Sequence, residues 1–339
     1  MFRISFHNIR DDTRYAFAVA KIRAFESRML DGASMTRFLK SSGSDEMIRM
    51  LLDTEYNEVL NESGAAPFET VLDKELDRIY RTVHEIDPDP EWTDLLRWRY
   101  DAHNIKVLLK GGVSNEEVWA HCIPYGVLQP DQLIRDLQQG DLTPLPEAFQ
   151  EAVNHVMVEG EGQGTKTGQE IDFMVDRALY RHLFQEAARS KNPFIRNMIT
   201  IMIDCINLRS FLRTRGLQTG TDLFHQSFIP GGSLIEDVFS AQVEGTGFES
   251  LRAIITDTPY SDLKRSLDAG NMAVLEAAMD NFLIDYLRQT RQRAFGVEPL
   301  IGYMLGKEME IKNLRIIYVC KVNGFGEEPI KERLRDTYV

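Results

Sequence analysis

Apolar residues return along most of the chain at spacings of three and four rather than two. Leu72, Leu76 and Ile79 fall at i, i+4 and i+7, and Phe173, Leu179 and Leu183 follow the same period more loosely, which is the spacing of a buried helical stripe. Alternating strand patterns are scarce. Most prolines lie between the periodic stretches, where they start or stop helices. Ser114-Asn-Glu-Glu117 and Ser233-Leu-Ile-Glu236 carry the Ser-x-x-Glu signature of a capping box, which satisfies free amide groups at a helix start. Arg23 and Glu26, one turn apart, are expected to form a pair worth a few tenths of a kcal/mol. The pattern predicts an all-α protein.

The periodic segments also repeat. Asp101 to Leu109 recurs as Asp204 to Leu212 and again as Glu310 to Tyr318, with the pattern acid-x-x-Asn-[Ile/Leu]-base. Asn104, Asn207 and Asn313 are separated by 103 and then 106 residues. Asp73-x-x-Leu76, Asp176-x-x-Leu179 and Asp280-x-x-Leu283 begin 31, 31 and 33 residues before them. A third element, Ile123-Pro-Tyr-Gly126-Val-Leu128 and Ile229-Pro-Gly-Gly232-Ser-Leu234, has its proline 20 and 23 residues after the first two asparagines. Three elements in one order predict a threefold internal repeat. The divisions expected are 1–125, which includes an N-terminal helix, 126–232 and 233–339.

Within each signature helix the acid, the asparagine and the residue seven after the acid (Leu108, Phe211, Ile317) share one stripe, because steps of three or four return to the same face. The buried amide must then find partners. Asp101, Asn104, Asp204, Asn207, Glu310 and Asn313 are therefore read as a repeated packing and hydrogen-bonding device at the edge of a core. Lys106, Arg209 and Arg315 point off that stripe and are candidate contacts for a partner.

Composition narrows the possible functions. A length of 339 residues allows about two domains or one large repeat-built body. The formal charge of −13 argues against binding nucleic acid through phosphate neutralisation, and against attraction to anionic headgroups. Cys122, Cys205 and Cys320 lie far apart and form no Cys-x-x-Cys, so no disulfide scaffold is expected. The first residues have no apolar core of signal-peptide length, and the longest apolar stretch, Ile195 to Leu212, is broken by Arg196, Asn197, Asp204, Asn207 and Arg209. A cytoplasmic protein without lipid insertion is expected.

Candidate chemistry fails on inspection. The glycine-rich run Gly160 to Gly168 lacks both the Gly-Lys-[Ser/Thr] step of a P-loop and G-x-G-x-x-G spacing, and reads as a flexible connector. The histidines are scattered, with no H-E-x-x-H or Glu-x-x-His pattern. In Asp87-Pro-Asp89-Pro-Glu91 two prolines keep the carboxylates from lining one helix face, so the segment reads as a solvated linker rather than a magnesium site. Neither a catalytic site, a cofactor nor a metal is expected.

The order of these blocks carries a family resemblance. Tyr15 to Leu30, with Lys21-Ile-Arg23-Ala-Phe-Glu26 at its centre, resembles the opening helix of the C subunit of the prokaryotic V-type/A-type ATPases, the counterpart of the eukaryotic d subunit. Leu52-Asp-Thr-Glu55-Tyr56, Asp101 to Lys110, Asp204 to Arg213, and Glu310 to Val339 with Lys321-Val-Asn323-Gly324 resemble that family's later blocks. Lys21 stands where the family commonly has arginine, and Val322 where it often has leucine. The resemblance implies three similar helical domains around a pseudo-threefold axis, in a funnel-shaped body within the rotor's central stalk. Its implied partners are the rotor shaft and the membrane proteolipid ring, between which it passes torque without a cofactor, at the cytoplasmic face of the membrane. Two other readings stay open: a helical-repeat adaptor, and an all-α enzyme with an internal cavity.

Overall fold

The computed structural model describes residues 9, 11–63, 66–157, 167–214, 220–242, 248–267 and 270–339. Among these every regular element is a helix and none is a strand. Two compact units are present, one formed by residues 1–93 with 255–339 and the other by residues 94–254.

The first unit is organised around the 25-residue helix Glu298–Val322. Its residues from Glu298 to Lys307 are all buried, as expected of a helix that is apolar on most sides. The opening helix Ala16–Glu26, the helix Phe68–Ile86 and the helix Met272–Arg288 pack against it. Gly302 and Gly306 make room on it for Thr290 and Tyr338. A Cβ at Gly302 would lie 2.3 Å from Thr290 Oγ1, and one at Gly306 would lie 2.6 Å from the Tyr338 ring. The Tyr338 hydroxyl donates to Glu26 at 2.9 Å. The Arg23–Glu26 pair forms at 2.5 Å, but Arg23 also donates to the Thr290 and Arg293 carbonyls, making it a tie between distant segments rather than a local pair.

In the second unit the helix Gly168–Arg189 packs against Trp98–Gly111, Glu147–Met157 and Pro193–Thr214. Leu179 and Leu183 are buried as the period requires, while Ile171 and Val175 continue that buried stripe and Phe173 is only half-buried. In the other unit Leu72, Leu76 and Ile79 are all buried.

Three expectations are corrected. Ser114 does not open the helix Glu116–Trp119; Asn115 caps it, accepting from the Glu117 amide at 3.1 Å. Ser233 does not cap Glu236–Ser240: its amide and hydroxyl both donate to the buried Asp204 carboxylate, which takes the amide that Glu236 would hold in a capping box, and Ile235 stands at the N-cap instead. The reciprocal capping box lies instead between Thr167 and Glu170. Asp87 is not a solvated linker residue: it is buried and accepts from the Asp89 amide at 2.9 Å and the Thr93 hydroxyl at 2.7 Å, closing the turn after Phe68–Ile86. Of the connector Gly160 to Gly168, residues 160–166 lie outside the described residues, whereas Thr167 and Gly168 form the start of the following helix.

Candidate functional site

Each signature helix turns its asparagine onto the backbone of a segment 19 or 22 residues downstream. Asn104 donates to the Ile123 carbonyl at 2.8 Å and accepts from the Ile123 amide at 2.7 Å. Asn207 does the same with Ile229 at 2.8 and 2.9 Å, and Asn313 with Arg335 at 2.9 and 2.9 Å. All three side chains are fully buried. A carboxamide has one donor and one acceptor face, so a single side chain satisfies both polar groups of one peptide residue. The loop is thereby fixed to the helix without any secondary-structure ladder.

The acid one turn earlier completes the lock in two of the helices. Asp101 accepts from the Val127 and Leu128 amides at 2.7 and 3.1 Å. Asp204 accepts from the Ser233 and Leu234 amides at 3.0 and 3.0 Å and from the Ser233 hydroxyl at 2.5 Å. The carboxylates come so close that a Cβ at Gly126 or Gly232 would stand 2.3 or 2.1 Å from a carboxylate oxygen. Only glycine leaves the oxygen its place, which explains its recurrence in the third sequence element.

Burial raises the Asp101 carboxyl to about 6 against the opposing pull of the two amides and Arg97. A folded-state value above the unfolded one means that the folded chain binds more protons, so stability contributed by this group falls as pH rises from about 4 to about 6. The pH dependence of urea stability across that window should therefore carry a descending contribution that Asp101→Asn removes. The variant should also lose about 1–3 kcal/mol at pH 7, since one amide then faces an NH2 group. Identical profiles for the two proteins would contradict this.

Glu310 departs from the pattern. Its longer side chain accepts from the Leu30 amide at 2.6 Å, the Tyr56 hydroxyl at 2.9 Å and Lys307 Nζ at 2.8 Å. It thus belongs to a buried charge centre that the sequence reading missed. Lys307 lies 3.2 Å from Glu75 and 3.6 Å from Glu55, with its ammonium over the Tyr56 ring. Arg78 binds both oxygens of Glu75 at 2.8 and 2.9 Å, and Arg28 reaches Glu55 at 2.9 Å. Three cations face three carboxylates. Burial pushes Glu55 up despite Lys307, whereas for Glu75 the bonds from Arg78 and the charge of Lys307 outweigh burial and hold it down. The signal was present as a charge within an apolar stripe: Glu75 sits beside Leu72, Leu76 and Ile79, and Lys307 between Tyr303 and Ile311.

The bases are engaged within the chain. Lys106 pairs with Asp176 at 2.6 Å. Arg315 pairs with Glu69 at 2.7 Å and Asp73 at 3.0 Å. Arg209 Nε donates to the Cys205 carbonyl at 3.2 Å. Two of the three thus meet the aspartate of another recurring element, Asp176 or Asp73. The remaining aspartate of that set, Asp280, binds Lys312 at 2.6 Å and Arg335 at 2.9 Å. Among the described residues no group of three side chains is placed to hold a metal ion, and no helix is long and apolar enough to cross a membrane.

These ionisable groups face one another and the loop backbone, and their chemistry is that of a structural body. The chain belongs to the ATP synthase (C/AC39) subunit family, which matches residues 18–333. It is 25% identical over 94% of its length to the C subunit of the V-type sodium ATPase of Enterococcus hirae, covering 97% of that protein. It is also 25% identical to the C subunit of the A-type ATP synthase of Methanocaldococcus jannaschii, covering 94% of this chain and 86% of the relative. The corresponding A-type ATP synthase C subunit of Haloferax volcanii is 26% identical over 94% of this chain and 96% of its own length. Proteins of this kind are structural rather than catalytic parts of rotary ATPases.

Proposed function

We propose that the protein is the connector of a V/A-type rotary ATPase, joining the central rotor shaft to the membrane proteolipid ring and passing torque between ATP turnover and proton or sodium transport. It would act at the cytoplasmic face, held to the membrane through the complex. The observation that carries this reading is family membership along residues 18–333. The buried locks of Asn104, Asn207 and Asn313 support it, because a torque-bearing body gains from loops that cannot slide on their helices. Their threefold recurrence also supports repeats over 1–125, 126–232 and 233–339. Lys106, Arg209 and Arg315 are proposed partner contacts; carboxylates on a partner would compete there with the internal acids, most readily at Arg315, which is 41% exposed.

The test is purification of the chain from detergent-solubilised membranes, followed by mass spectrometry and by a deletion. Shaft and proteolipid subunits should be recovered with it, and deletion should abolish ATP-dependent ion pumping. Recovery of the chain alone, with pumping intact in the deletion, would reject the proposal.

A further inference from the structure

The second unit carries a groove of about 760 Å3 that none of the contacts above uses. Two helix stripes form it. Ala148, Glu151, Ala152 and His155 come from Glu147–Met157, and Met174, Arg177, Ala178 and Arg181 from Gly168–Arg189. Each set falls at i, i+3, i+4 and i+7, a single helix face, so the groove is a trough running about 10 Å along two packed helices. Ala148, Ala152 and Ala178 contribute small side chains to it.

Pro230 and Gly231 complete the lining beside Phe184. Gly231 has a φ of +106°, and a Cβ there would lie 2.9 Å from the Phe184 ring. At the matching position of the first repeat the chain has Tyr125, which is buried. With glycine in its place, Phe184 remains 38% exposed.

The walls carry excess positive charge in a chain of net charge −13. Arg177 gives Nε to the Phe228 carbonyl at 2.9 Å and Nη2 to the His225 carbonyl at 3.1 Å. Arg181 gives Nη1 to Glu151 at 2.5 Å. Each guanidinium has five N–H donors, so both keep donors in reserve, and the groove sets one carboxylate, Glu151, against two cations. The arginines are one helical turn apart, the spacing of two acids at i and i+4 on a facing helix.

We infer that this groove seats an amphipathic helix of two to three turns from another subunit, on the reading that this chain works within a larger assembly. Apolar side chains at i, i+3 or i+4 and i+7 fill the trough, and an Asp or Glu on its flank meets Arg177 and Arg181.

The experiment places p-benzoylphenylalanine at Gln185, an exposed groove residue, and at Glu117 as an exposed control outside it. Irradiation is done in the membrane-bound complex, and the adduct is sequenced. Gln185, and not Glu117, should capture one segment of another ATPase subunit with apolar residues at helical spacing and an acid on its flank. Arg181→Glu should lower the yield at least tenfold, and Lys in place of the captured acid should restore it. An adduct with lipid, with this same chain or with a segment lacking an acid would overturn the inference, as would a yield indifferent to Arg181→Glu. So would the absence of an adduct while shaft and ring subunits still copurify, an outcome that leaves the connector reading standing. Recovery of the chain without any ATPase subunit would remove both.

Discussion

Lys307→Met should destabilise the protein by about 3–5 kcal/mol, measured as a shift of the urea transition at pH 7. The side chain is fully buried, and its ammonium is the shared counter-charge of Glu310, Glu75 and Glu55. Methionine fills the volume but leaves three carboxylates against two arginines. The cost arises mainly from the uncompensated charge that stays behind rather than from the lost attraction. The sign of its pH dependence follows. Without Lys307 the remaining acids titrate higher in the folded state than in the unfolded one, so the variant gains stability as pH falls. The wild type has less to gain, because Lys307 restrains the rise of Glu55, and Glu75, held below its unfolded value, loses stability only below about pH 4.5. The deficit should therefore narrow between pH 8 and pH 5. A deficit below about 1 kcal/mol, or one that widens on acidification, would show that water reaches the centre.

This centre marks the boundary of what could be read in the chain. The helices were legible because a period of 3.6 needs only local sequence, and the signature helices because their pattern occurs three times. The partners of Asn104 and Asn207 were half legible: the Ile-Pro-x-Gly element recurs downstream, yet nothing in its letters says that its glycine makes room for a carboxylate. Glu310 reads as the third copy of the acid, but two of its three partners, Leu30 and Tyr56, lie more than 250 residues away, so no local pattern announces them. The two mistaken capping boxes have a related cause. Ser-x-x-Glu describes a local competition for amides, and at Ser233 the winner was Asp204, 29 residues upstream. The groove was invisible for another reason: three of its eight stripe residues, Ala148, Ala152 and Ala178, are alanines, which look the same in a sequence whether they are covered or open.

Asn207→Leu tests the lock itself and should lower stability by about 2–6 kcal/mol at pH 7, since both the amide and the carbonyl of Ile229 lose their partner and each buried orphan costs about 1–3 kcal/mol. The three locks should not be equal. Both bonds of Asn207 are fully buried, whereas those of Asn104 and Asn313 are only partly so. Water can therefore replace a lost partner at Ile123 or Arg335 more readily than at Ile229, and Asn104→Leu and Asn313→Leu should each cost less than Asn207→Leu. Hydrogen exchange at the Ile229 amide separates this account from a general loosening. Its protection should fall far more than that of the Leu234 amide, which is held independently by Asp204 at 3.0 Å. Equal loss at both amides would mean that the asparagine and the aspartate act as one cooperative clamp. Unchanged protection at Ile229 would mean that packing of the buried Phe228 and Ile229 side chains, not the carboxamide, holds the loop in place.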